Sequence, residues 1–137
     1  MTARAAALLL SAVRTGIAIL LLLLPGPAGS TSAEEDELVS LARSRNRVLI
    51  ADFGLGMCRQ CKTQSEILDQ VRSVYKEKLI VRMVLVNKEP ALAARYRVET
   101  IPHLVFFDPA GNVAYRKTGV MRYEEVAARL SRMGVKP

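Results

Sequence analysis

Two cysteines three residues apart, Cys58 and Cys61, stand where an apolar run gives way to a helical pattern. This placement limits the fold more than any other feature. Upstream, Val48-Leu49-Ile50-Ala51-Asp52-Phe53 has the short, apolar character of a buried strand, and Gly54 and Gly56 break it. Downstream, Ile67, Leu68, Val71, Val74 and Tyr75 recur on one helical face, with Lys, Gln, Glu, Asp and Arg on the other. A strand must therefore hand the chain to a helix within a few residues, with both thiols at the junction. They are the only cysteines, which excludes a multi-bridge scaffold and a four-cysteine zinc site within one chain.

The spacing carries its own chemistry. Across one helical turn the two sulfurs lie within reach of a disulfide. Unpaired backbone N–H groups at a helix start stabilise an anion, so Cys58 is expected to have a lowered pKa. Only the thiolate attacks a disulfide, which makes Cys58 the candidate nucleophile. Cys61, one turn inside, is the candidate resolving thiol. As a static brace the pair would contribute only about 2 kcal/mol on the chain-entropy estimate. As half of a metal site it needs further ligands; His103 offers a third, and no fourth is evident.

The remaining pattern completes an α/β order. Glu34-Glu35-Asp36-Glu37 opens a helix, since acids suit the positive end of the helix dipole, and Leu38, Leu41 and Ala42 follow at helical spacing. Residues 79–86 form a second strand, and Pro90 begins a short helix over residues 91–96. Leu104-Val105-Phe106-Phe107 is a third strand. Asp108-Pro109-Ala110-Gly111-Asn112 is a turn from which residues 113–117 pair back. After Gly119 a last helix runs over residues 122–133, with Val126, Leu130 and Met133 at helical spacing. The order α-β-α-β-α-β-β-α predicts a mixed four-stranded sheet with helices on both faces. A chain of 137 residues has room for one such domain.

The N-terminus reads differently. The first 33 residues hold no acid and two bases, Arg4 and Arg14. Residues 15–24 are uncharged and rich in leucine, and Pro25, Gly26, Pro27 and a run of small residues follow. This is the pattern of a secretory signal peptide, with cleavage after Ala28, Ser30 or Ala33. The alternative is a retained membrane anchor over residues 5–24, which reaches the necessary length of about 20 residues only by burying Arg14. No cysteine near this region offers a lipid anchor. The domain is expected over residues 34–137. Lys and Arg exceed Asp and Glu by seven, but the bases are scattered and form no concentrated footprint, so no nucleic-acid partner is expected.

Asp52-Phe53, followed after four residues by Cys58-Arg59-Gln60-Cys61-Lys62, resembles the active-site segment of the thioredoxin family. Tyr96-Arg97-Val98-Glu99-Thr100-Ile101-Pro102 resembles the family stretch that ends in a cis-proline, and residues 108–119, with Gly111 and Gly119, are similar to its closing hairpin. The resemblance covers residues 38–133. It implies a thioredoxin-like fold, Cys58 as nucleophile, Cys61 as resolving thiol, and a cis Ile101–Pro102 bond in a loop that holds substrate as an added strand. It also implies that Asp52 is a buried carboxylate taking the proton of the resolving thiol. Burial raises a carboxyl pKa, which suits proton exchange near neutrality.

The chain departs from the family pattern at several positions. Met57 stands where Trp is usual, and Arg59-Gln60 replaces Gly-Pro. A guanidinium at Arg59 is expected to favour the Cys58 thiolate, and stabilising the reduced form makes a pair more oxidising. The lysine that usually neighbours the buried acid is replaced by Met83 or Arg82. His103 follows the proline, either as an exposed loop residue without a role or as a group touching the disulfide or substrate. Ile101, in place of Val or Thr, leans towards a reductant. The expected function is that of an exported thiol–disulfide oxidoreductase, periplasmic or extracellular, that reduces protein disulfides as a monomer without a bound cofactor. Its partners are cysteine-containing protein substrates and a membrane or soluble thiol electron donor. Two other functions stay open: a disulfide-forming oxidant or isomerase, and a Cu(I)-handling module using Cys58, Cys61 and His103.

Overall fold

Asp36 caps the first described helix. In the computed structural model, which describes residues 36–137, its carboxylate accepts a hydrogen bond from the Leu38 N–H at 2.9 Å and caps helix α1 (Glu37–Arg45). The helix therefore begins at the last of the four acids rather than at the first. It stops at Asn46, which adopts the left-handed conformation that asparagine tolerates. The expected signal segment or anchor within residues 1–33 lies outside the described residues. Among the described residues no helix is long and apolar enough to cross a membrane.

Strand β1 (Val48–Gly54) follows and is buried at every residue. After α2 (Arg59–Tyr75) and a 3-10 turn (Lys76–Lys78) come β2 (Leu79–Leu85), α3 (Pro90–Arg95), β3 (His103–Phe107), β4 (Val113–Thr118) and α4 (Tyr123–Arg132). The sheet order is β2-β1-β3-β4, with β1 parallel to β2 and antiparallel to β3, and β3 antiparallel to β4. This is a mixed four-stranded α/β sheet, as the periodicity predicts. Alternation along β1 divides the interior in two. Val48 and Ile50 pack with Leu68, Val71, Val126 and Leu130 under α2 and α4. Leu49, Ala51 and Phe53 pack with Leu38, Ala42 and Ala93 under α1 and α3.

Two expectations are corrected at this level. Val74 is exposed, and Gln64, placed by sequence on the polar face of α2, is fully buried. The buried positions are 61, 64, 68, 71 and 75, an alternation of three and four that becomes visible once Cys61 is counted as apolar. The Gln64 amide is not stranded. Its Oε1 accepts from the Met121 N–H at 2.7 Å, and its Nε2 donates to the Met121 carbonyl at 3.4 Å.

Candidate functional site

The site begins at the C-terminal end of β1. Gly54 ends the strand against the second thiol: a Cβ there would lie 3.1 Å from Cys61 Cβ and 3.3 Å from its Sγ. Glycine is thus what lets the helix start close upon the strand. Cys58 is the N-cap of α2, and its Sγ accepts a hydrogen bond from the Cys61 N–H at 3.3 Å. Both cysteines are free thiols, Cys58 half-buried and Cys61 buried.

Their environments push the two thiols apart. Cys58 lies below the ordinary thiol range, first because the Cys61 thiol donates to it and then because the Cys61 and Gln60 N–H groups do. Cys61 is pushed up to about 11, chiefly by burial, then by its bond to Cys58 and the charges of Cys58 and Asp52. One thiol is prepared to ionise and attack; the other keeps its proton until a base takes it. Arg59 is exposed at the first helical position, where a single guanidinium acts through water and is screened. The groups that ionise Cys58 are the neighbouring thiol and the helix N–H donors.

Asp52 lies on the α2 face of the sheet and is 1% exposed. Burial raises its pKa to about 6, against a smaller lowering by the Ser65 hydroxyl, which donates to Oδ2 at 3.4 Å. Its partner across the parallel pair is Met83. Met83 is therefore the residue beside the buried acid. Arg82 is engaged elsewhere, in ion pairs with Glu89 at 2.7 Å and Glu37 at 3.0 Å.

The Ile101–Pro102 peptide is cis. The Pro102 carbonyl accepts from the Gly119 N–H at 2.8 Å, which ties the loop to the end of β4. Because His103 pairs with Phe53, the cis-proline loop and the Gly54 junction share one end of the sheet. Met57, fully exposed, borders the nucleophile at that end.

His103 corrects the expectation of an exposed loop residue. It is the first residue of β3, buried, with Nδ1 3.0 Å from Thr118 Oγ1 and its ring edge-on to Phe53. Burial, then the Arg116 charge, lowers its pKa and keeps it neutral. Its alternation in β3 matches Val105 and Phe107, so it stands on the α1/α3 face, while α2 covers the other. Cys58, Cys61 and His103 therefore do not assemble as a ligand set. Among the described residues no three His, Cys, Asp or Glu side chains cluster to hold a metal ion.

Comparisons with known proteins agree with this geometry. The sequence model of the thioredoxin-like domain matches residues 35–134. Thioredoxin 1 of Chlorobaculum tepidum is 33% identical over 89 residues, 65% of this chain and 87% of that protein. Thioredoxin-like protein slr0233 of Synechocystis is 32% identical over 90 residues, 66% of this chain and 84% of that protein. Among solved structures, chloroplastic thioredoxin z superposes with a TM-score of 0.66 at 23% identity, covering 82% of this chain and 99% of that one. With the family model matched over residues 35–134, and a free dithiol at the strand–helix junction, the chain belongs to the thioredoxin family.

Proposed function

We propose that the protein is an exported thiol–disulfide oxidoreductase that reduces disulfides of other proteins, acting as a monomer. The observation that carries this reading is the divergence of the two thiols, Cys58 lowered and Cys61 raised to about 11. In the cycle, the Cys58 thiolate attacks one sulfur of a substrate disulfide, and the other substrate sulfur leaves as a thiolate. Cys61 then gives its proton to the Asp52 carboxylate, which is mostly ionised above its pKa of about 6, and attacks Cys58. The second substrate thiolate departs, two electrons have passed to the substrate, and the protein holds a Cys58–Cys61 disulfide. A membrane or soluble thiol donor returns it to the dithiol. The backbone of the Ile101–Pro102 loop holds the substrate segment beside the sulfurs.

The test is reduction of a disulfide-bonded protein by dithiothreitol with the purified chain as catalyst. Activity is lost in Cys58→Ser, and a mixed disulfide accumulates in Cys61→Ser. A Cys58→Ser variant as active as the parent overturns the cycle. Export is read from the N-terminal residue of the protein recovered outside the cytoplasm, which is expected to be Gly29, Thr31 or Glu34.

The low thiol of Cys58 also favours a second reading, a disulfide-forming oxidant or isomerase, because stabilising the reduced form raises the potential. Pairs on related scaffolds span roughly 150 mV. The potential of this pair, measured against glutathione, therefore assigns the direction.

A further inference from the structure

One side chain both bonds the buried acid and lines a cavity with the resolving thiol. Ser65 lies four residues beyond Cys61 on α2, a spacing that puts both on one helical face. Its hydroxyl donates to Asp52 Oδ2, while Asp52 Oδ1 is buried without a partner. Two cavities adjoin it. One, about 170 Å³, is lined by Cys61, Lys62, Ser65 and Met83; the other, about 240 Å³, by Asp52, Ser65, Asp69, Arg72 and Met83. Only Ser65 and Met83 line both. Either cavity is large enough for several waters at about 30 Å³ each.

Resting on the cycle above, we propose that Ser65 is the positioning residue of the resolving step, its hydroxyl linking Cys61, through cavity water, to Asp52. A serine hydroxyl donates and accepts at once. It accepts the proton that leaves Cys61 through water and releases its own to Asp52 Oδ2. The thiol becomes a thiolate, the carboxylate becomes a carboxylic acid, and no electron moves until the thiolate attacks Cys58. Met83 offers no proton-carrying group, so the hydroxyl is the polar connection shared by the two cavities. The other charged or titratable groups lining them are Lys62, Asp69 and Arg72, all on α2. Facing elements are neutral here: β2 presents Val81 and Met83, β3 pairs Leu104 with Asp52, and α4 adds Val126 and Leu130 to the core on this face.

The experiment follows the full chain reacting with an aromatic disulfide whose thiolate is coloured. The first thiolate released reports Cys58 attack, and the second reports resolution by Cys61. In Ser65→Ala the first phase keeps its rate and pH profile. The second slows near neutrality, and its inflection moves up, because the bond that holds Asp52 down is gone. Ser65→Thr restores the profile, and Ser65→Ala added to Asp52→Asn slows resolution no further. A second-phase profile in Ser65→Ala that superimposes on the parent's overturns the role of Ser65 and leaves the cycle standing. Multiplying effects in the double variant overturn it equally. A parent protein that releases no second thiolate overturns the cycle and this inference together.

Discussion

Asp52 is a charge placed in a strand whose every other residue is apolar or glycine. Its carboxyl titrates at about 6 when folded against an ordinary 3.8, so the folded chain binds this proton more tightly than the unfolded one. The stabilisation is complete below the unfolded value and is lost as pH rises through about 6. At pH 7 the fold therefore carries a buried charge at a cost of about 3 kcal/mol, from roughly two pH units at 1.36 kcal/mol each. Such a cost is large beside a total stability of about 5–15 kcal/mol, and perturbed groups of this kind cluster at functional sites. Asp52→Asn keeps the shape and removes the charge. It is expected to raise the urea midpoint at pH 7, by up to about 3 kcal/mol in stability, with little gain at pH 4. Urea unfolding of both proteins at the two pH values checks this; a parent no more sensitive to pH than the variant contradicts it.

Helix α2 carries the site at its first turn and is held at its flank by Gln64. That amide supplies both hydrogen bonds of the Met121 backbone, tying α2 to the segment before α4 much as a strand partner would. Gln64→Leu fills nearly the same volume but leaves a buried N–H and carbonyl unpaired, at about 1–3 kcal/mol for each. Denaturant unfolding is expected to show that loss, and hydrogen exchange a less protected Met121 amide; an unchanged midpoint would remove the tie from the account. Gln64 also shows where sequence reading reaches its limit. The order of the described α-helices and strands was legible because most apolar stripes have their own period, and the dithiol was legible because its residue types and spacing are rare. Gln64 was missed because a buried amide looks polar until its backbone partner, 57 residues away, is known. Ser65 was missed because a small hydroxyl carries no periodic signal. Its spacing from Cys61 is the one clue. His103 depended on a single residue of strand register, since beginning β3 one position earlier turns a loop residue into a buried one.

At the scale of the molecule, the two cores are the two sides of one strand. Ile50 belongs to the core under α2 and α4, and Leu49 to the core under α1 and α3. Neither can come apart without releasing β1, and β1 also holds β2 and β3 in the sheet. All buried members of both cores lie between Leu38 and Leu130. A polypeptide starting at residue 34 thus contains every core group among the described residues. It is expected to unfold in one transition, with secondary structure by far-ultraviolet dichroism and tyrosine packing by near-ultraviolet dichroism lost together. Leu49→Ala and Ile50→Ala open cavities on opposite faces, and each is expected to cost about 2–5 kcal/mol. If the strand couples the faces, both variants move that single transition as a whole. Should Leu49→Ala melt in two steps, the α1/α3 side with Tyr96 first and the side holding Tyr75, Tyr115 and Tyr123 later, the two cores are independent. The site at the end of β1 would then rest on only one of them.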